Sequence, residues 1–126
     1  GEWSTILGGS SSTIDGDYNI IIGGDSDNGL YNSIDGNYNV IIGRLNTIDG
    51  DGSIALGSNL SVLSDYSVAI GSDIILSDNY SVVYSDGVQS VESAVDQQVL
   101  LYFLDCICLL MCFCNIRCTY RQHCQF

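Results

Sequence analysis

Proline is absent from this chain, lysine and arginine together number three, and no cysteine occurs before Cys106. Without proline, the sharp reversals fall to glycine and to Asp and Asn, whose side chains hydrogen-bond their own backbone and tolerate left-handed conformations. The scarcity of cations leaves a formal charge of −12. Residues 1–98 hold fourteen of the fifteen acids against Arg44 alone, close to −13. Such a surface repels phosphate backbones and argues against a nucleic-acid partner. The cysteine-free region owes nothing to disulfides, which suits either redox compartment. The sole histidine is His123, and no Gly-x-Ser-x-Gly nucleophile motif occurs. Catalysis therefore has little to stand on, and the chain reads as a non-enzyme with no cofactor. It begins at Gly1 with its only methionine at Met111, the look of a fragment or a processed form.

What the chain does contain is a repeat. Ser53–Gly57, SIALG, recurs fourteen residues later at Ser67–Gly71 as SVAIG. Aligning on the final glycine gives Gly8, Gly23, Gly43, Gly57, Gly71 and then Ser85. The unit is fourteen residues, and the step from Gly23 to Gly43 carries six more within Gly24–Tyr31, read as an outward loop.

Columns through this register define the elements. Three and one residues before the glycine stand Ile20, Val40, Ile54, Val68, Val82 and Ile22, Ile42, Leu56, Ile70. These share one strand face and are expected to fill the coil. The residue between them, Ile21, Ile41, Ala55, Ala69 and Val83, takes the opposite face. In a lone coil that column is expected to point outward, as an inter-chain contact. A second strand carries Ile14, Ile34, Ile48, Val62 and Leu76 as further core, flanked by Thr13, Ser33, Thr47 and Ser61 on a wet face. Between the strands, Asp17, Asn37, Asp51, Asp65 and Asn79 form one turn column. Beside it runs an aromatic column, Trp3, Tyr18, Tyr38, Tyr66 and Tyr80, interrupted by Gly52. The expected fold is all-β, a parallel β-solenoid of about six rungs over residues 1–87.

One rung cannot stand alone. It buries about four apolar side chains, on the order of 6–12 kcal/mol, against a backbone ordering cost of about 14–28 kcal/mol. Stacking supplies the remainder, and a contiguous apolar strip left outside is best covered by symmetric self-association.

The pentads at Ser53–Gly57 and Ser67–Gly71 resemble the head repeats of YadA-like trimeric autotransporter adhesins, repeats also found in phage tail fibres. The match is tightest over Ser53–Ser85 and looser over Gly1–Gly43, where Ile21 and Ile41 stand in the alanine column. The resemblance implies a left-handed parallel β-roll with three chains side by side. It further implies an extracellular place, on a cell surface or virion, and a host or cell-surface ligand of protein matrix or glycan type.

Other chemistry is weaker. Asp49-Gly-Asp-Gly52 has the start of a calcium loop, but the twelfth position is Leu60 where the EF-hand requires glutamate. The Thr13, Ser33, Thr47, Ser61 column has the spacing of an ice-ordering hydroxyl array, broken by Ile75. A β-solenoid enzyme acting on carbohydrate would need acids converging in a groove, whereas these acids recur as turn columns.

Residues 88–98 read as a linker or the start of a neck. Residues 99–126 then form a hydrophobic, cysteine-rich tail without clear patterning. Val99–Ile116 has the length of a membrane span but contains Asp105. The cysteines match no zinc spacing, and an out-of-frame terminus has the same look, so three readings stand open.

Overall fold

A computed structural model describes the chain apart from residues 25–30, 94–95, 97, 104–105, 113–121 and 124–126. The protein is an all-β solenoid of about six turns of roughly fourteen residues, with no helix among the described residues. Its elements are β1 Thr5–Leu7, β2 Thr13–Asp15, β3 Ile20–Ile22, β4 Ser33–Asp35, β5 Val40–Arg44, β6 Thr47–Asp49, β7 Ile54–Val62, β8 Val68–Leu76, β9 Val82–Glu92, β10 Gln98–Phe103, β11 Cys106–Cys112 and β12 Gln122–His123.

One side of the coil is the parallel run β1-β3-β5-β7-β8-β9-β10, and the other begins as β2-β4-β6. Strands β7, β8 and β9 are long enough to pass through the corner and serve both sides. Pairing is in the register of the repeat. Val40 lies opposite Ile54, Ile54 opposite Val68 and Val68 opposite Val82.

The interior is built from a different set of columns than alternation alone suggested. Ile21, Ile41, Ala55, Ala69 and Val83 are fully buried inside a single chain, so the column expected to contact neighbouring chains is the coil's own core. The columns on either side of it point outward. Ile20, Ile22 and Ile42 are exposed, and Val40, Ile54, Leu56, Val68, Ile70 and Val82 are half-buried. The reason lies at the corners. Counting in twos from four before the glycine to the glycine itself, the inward parity includes the residues that bend the chain toward the axis. Those are Asn19, Asn39, Ser53, Ser67 and Ser81 at one end, all buried, and the glycine at the other. At Gly57 and Gly71 the backbone has φ of 143° and 119°. A Cβ at either would run into the carbonyl oxygen of the next rung, so only glycine allows the close approach. From the second side, Ile34, Ile48, Val62 and Leu76 are buried and Ile14 packs partly against them.

Length variation is confined to one corner. From Ile14, Ile34, Ile48, Val62 and Leu76 to the next strand, at Ile20, Val40, Ile54, Val68 and Val82, the step is six residues each time. After the glycine, by contrast, the first rung has one extra residue, the second six and the last three. The three fall between Ser72 and Ile74 of the register, where Ile74 pairs with Val91. The six-residue excess spans positions 25–30, outside the described residues.

The proposed boundaries near residues 88 and 99 fall inside the stack. Strand β9 runs to Glu92 and pairs with β8 on both sides. Strand β10 then adds a seventh parallel strand, with Val99 opposite Val82 and Leu100 opposite Val83. Leu100 is buried in the interior column. Only after it does the order change: β11 is antiparallel to β10, and β12 antiparallel to β11.

Candidate binding surfaces

The corner between the second strand and the first is fixed by a side-chain ladder. The backbone N–H of Asp17 donates to Oδ1 of Asn37 at 2.9 Å, that of Asn37 to Asp51 at 2.6 Å, that of Asp51 to Asp65 at 2.9 Å and that of Asp65 to Asn79 at 2.8 Å. Each Asp or Asn thus closes the turn of the rung before it. The carboxylates of Asp51 and Asp65 are in this way structural. The calcium reading of Asp49–Gly52 finds no constellation to support it. Among the described residues no three His, Cys, Asp or Glu side chains gather as metal ligands.

Next in the chain comes the aromatic column, and every member adopts left-handed backbone geometry. Trp3, Tyr18, Tyr38, Tyr66 and Tyr80 have φ between 53° and 61°, and Gly52 has 67°. Left-handed geometry costs an L-residue roughly 1–2 kcal/mol. Parallel hydrogen bonds hold it in place, from Tyr38 N–H to Asp17 C=O and from Tyr66 N–H to Asp51 C=O. The rings of Tyr18 and Tyr38 stack at 4.9 Å with planes 2° apart, and those of Tyr66 and Tyr80 at 5.4 Å. Gly52 separates the two pairs.

The second side presents a wet face. Thr13, Ser33, Thr47, Ser61 and Ile75 are in register along it, as are Asp15, Asp35 and Asp49. Thr13 and Ser33 share a hydroxyl hydrogen bond of 3.1 Å. The three acids are exposed, in register at about 4.8 Å. They form a line along the coil and do not converge in a cleft. Beyond them the face turns apolar at Leu63 and Ile75, both exposed.

The first side presents the opposite chemistry. Its outward columns, Ile20, Val40, Ile54, Val68, Val82 and Ile22, Ile42, Leu56, Ile70, Tyr84, contain no charged residue. This apolar sheet face is about 19 Å long over four rung steps. Among the described residues no helix is long and apolar enough to cross a membrane, and the described parts of 99–126 are strands. His123 lies on β12.

Sequence reasoning missed two buried polar ladders. Asn39 donates its side-chain amide to Gly50 C=O at 2.7 Å and accepts from Ser53 N–H at 2.7 Å. Asn46 does the same at the other corner, to Gly57 C=O at 2.9 Å and from Leu60 N–H at 3.1 Å. The recurrence of Asn19, Asn39, Ser53, Ser67 and Ser81 four before each glycine was the signal for the first, and Asn32 and Asn46, each eleven before a register glycine, that for the second. No protein-family model, no curated protein and no solved structure matches the chain.

Proposed function

We propose that the chain is an extracellular display and binding module, a solenoid segment that associates as a homotrimer on a cell surface or virion and presents its wet face to a ligand. The observation that carries this reading is the uncharged apolar sheet face running from Ile20 to Tyr84. A chain with about −13 over residues 1–98 approaches copies of itself most readily through a surface free of acids. This face is the extended surface of that kind on the described coil, and exposed apolar area of that kind marks partner contacts. Closed symmetry covers it without leaving an open fibre edge. The resemblance of SIALG and SVAIG to trimeric adhesin heads favours three copies over two. The reading gives no residue a catalytic role.

The test is the mass of the full chain in solution, by size-exclusion chromatography with light scattering at moderate salt. A threefold mass supports the reading, and a folded monomer at micromolar concentration refutes it. A second reading, a virion fibre segment with a purely mechanical role, predicts the same mass but no affinity for matrix protein or glycan.

A further inference from the structure

The outward face of the first side does not stop at Tyr84. Leu101 on β10 lies opposite Tyr84 and Val99 opposite Val82, so two outward columns continue onto the seventh strand. Strand β11 carries them one step further, with Cys108 opposite Leu101 and Cys106 opposite Phe103. Residues directly paired across neighbouring strands share a sheet face. The row Ile42, Leu56, Ile70, Tyr84, Leu101 therefore ends on Cys108. Cys106 sits two residues along the same strand, on the same face. At the inward parity Ile107 pairs with Tyr102 and Leu109 with the buried Leu100. Over residues 106–109 the strand thus alternates, cysteine at outward positions and Ile or Leu at inward ones.

The two cysteines are poorly placed to pair with each other. Residues two apart on a strand are separated by about 6.8 Å, the outer limit of the Cα···Cα span a disulfide bridges. Cys112 lies beyond a break in the register, opposite Gln98. Cys114, Cys118 and Cys124 lie outside the described residues. What the shared face does bring to Cys106 and Cys108 is another copy of the chain, since this is the face through which the proposed homotrimer associates. The inference rests on that reading. In a closed ring of three, every chain meets one neighbour on each side. One thiol per chain would join two chains and leave the third thiol unpaired, whereas two per chain join all three.

We propose that Cys106 and Cys108 are inter-chain crosslinking sites, Cys106 of each chain disulfide-bonded to Cys108 of the next, which closes the trimer covalently at the β11 end of the coil. The oxidant is a small disulfide such as oxidised glutathione. The thiolate of one cysteine attacks its sulfur–sulfur bond and releases one reduced thiol, and the thiolate of the neighbouring chain then displaces the second. Each crosslink formed consumes one oxidant disulfide, and the two protons lost by the cysteines are taken up by the two thiols released. Such bonds persist in an oxidising, extracellular setting, which is the one the proposed function requires.

The experiment compares two variants of the full chain. One keeps only Cys106 and Cys108, with Cys112, Cys114, Cys118 and Cys124 changed to serine; the other carries Cys106→Ser and Cys108→Ser and keeps the remaining four. Each is purified under reductant, checked by circular dichroism and light scattering, treated with oxidised glutathione, and weighed by mass spectrometry under denaturing, non-reducing conditions. The first should yield a species of three chain masses less six hydrogens that reductant returns to single chains. The second should lose that species. A reduced trimer that gives only single-chain masses on oxidation overturns the crosslink and leaves the assembly reading standing, whereas a reduced monomer overturns both. Equal yields of the three-chain species from the two variants, or a ladder running beyond three chains, also overturn the crosslink. If a variant does not fold, the unaltered chain decides: isotope-labelled and unlabelled copies are mixed under reductant, oxidised and digested with chymotrypsin. Mixed-isotope pairs of the peptides carrying Cys106 and Cys108 support the proposal, and their absence overturns it.

Discussion

At the scale of single residues, the interior is two recipes of similar volume. The third rung places Asn39, Ile41, Asn46 and Ile48 inward, and the fourth places Ser53, Ala55, Leu60 and Val62. Where a corner amide gives way to leucine, the strand residue shrinks from isoleucine to alanine, which keeps the packing dense. Each recipe also satisfies its own corners. Asn39 bridges Ser53 N–H and Gly50 C=O, while the Ser53 hydroxyl accepts from Ser67 N–H at 3.0 Å and donates to Ser64 C=O at 2.8 Å. Asn39→Ala strands two buried backbone groups, and we expect a loss of about 2–4 kcal/mol by denaturant unfolding. Asn39→Ser imports the neighbouring rung's chemistry and should recover about half of that. Equal losses for the two variants would mean that the amide is not acting through these bonds.

At the scale of elements, the two corners differ in what they tolerate. The Asx and tyrosine corner couples each rung to the next through side chain, backbone and ring at once, so an added residue would shift every contact. The glycine corner has already accepted one, six and three extra residues. Three residues inserted after Ser58 should lower the melting temperature by only a few degrees, in line with the slow growth of loop-closure cost. The same three inserted between Asp65 and Tyr66 should abolish the cooperative transition. Comparable melts for the two insertions would contradict this division.

The strands, their spacing and the turn chemistry were legible in the sequence because each depends on local pattern: apolar residues in alternation, Asp or Asn at a fixed offset, glycine at the close approach. The inward face was not, because alternation is symmetric. It defines two faces and leaves the choice to whichever residues bend toward the axis. Weighing two apolar columns against one favoured Ile20 and Ile22 over Ile21, whereas the buried amides of Asn19 and Asn39 carried the decisive information. The seventh strand was hidden for a related reason. Its Val99, paired with Val82, lies seventeen residues after it, a break in period that made Val99–Leu101 look like the head of an unpatterned tail.

At the scale of the whole molecule, exchanging the two faces relocates the surface available for assembly while leaving one in place. With Ala55 and Ala69 inside, the proposed contact would fall to Val40, Ile42, Ile54, Leu56, Val68 and Ile70, larger residues that offer more apolar area than alanine. A lysine at Leu56 or Ile70 adds a charge to this face without entering the coil. We expect the double variant Leu56→Lys, Ile70→Lys to remain folded by circular dichroism and to fall to monomer. Because copies of the chain carry like charge, the proposed association of the unaltered protein should strengthen with added salt.

The most direct test of this account is the solution mass of the full chain beside that double variant, by light scattering at matched concentration. The account predicts a trimer for the unaltered chain and a folded monomer for the variant. A folded monomer for both, or a trimer for both, would contradict it.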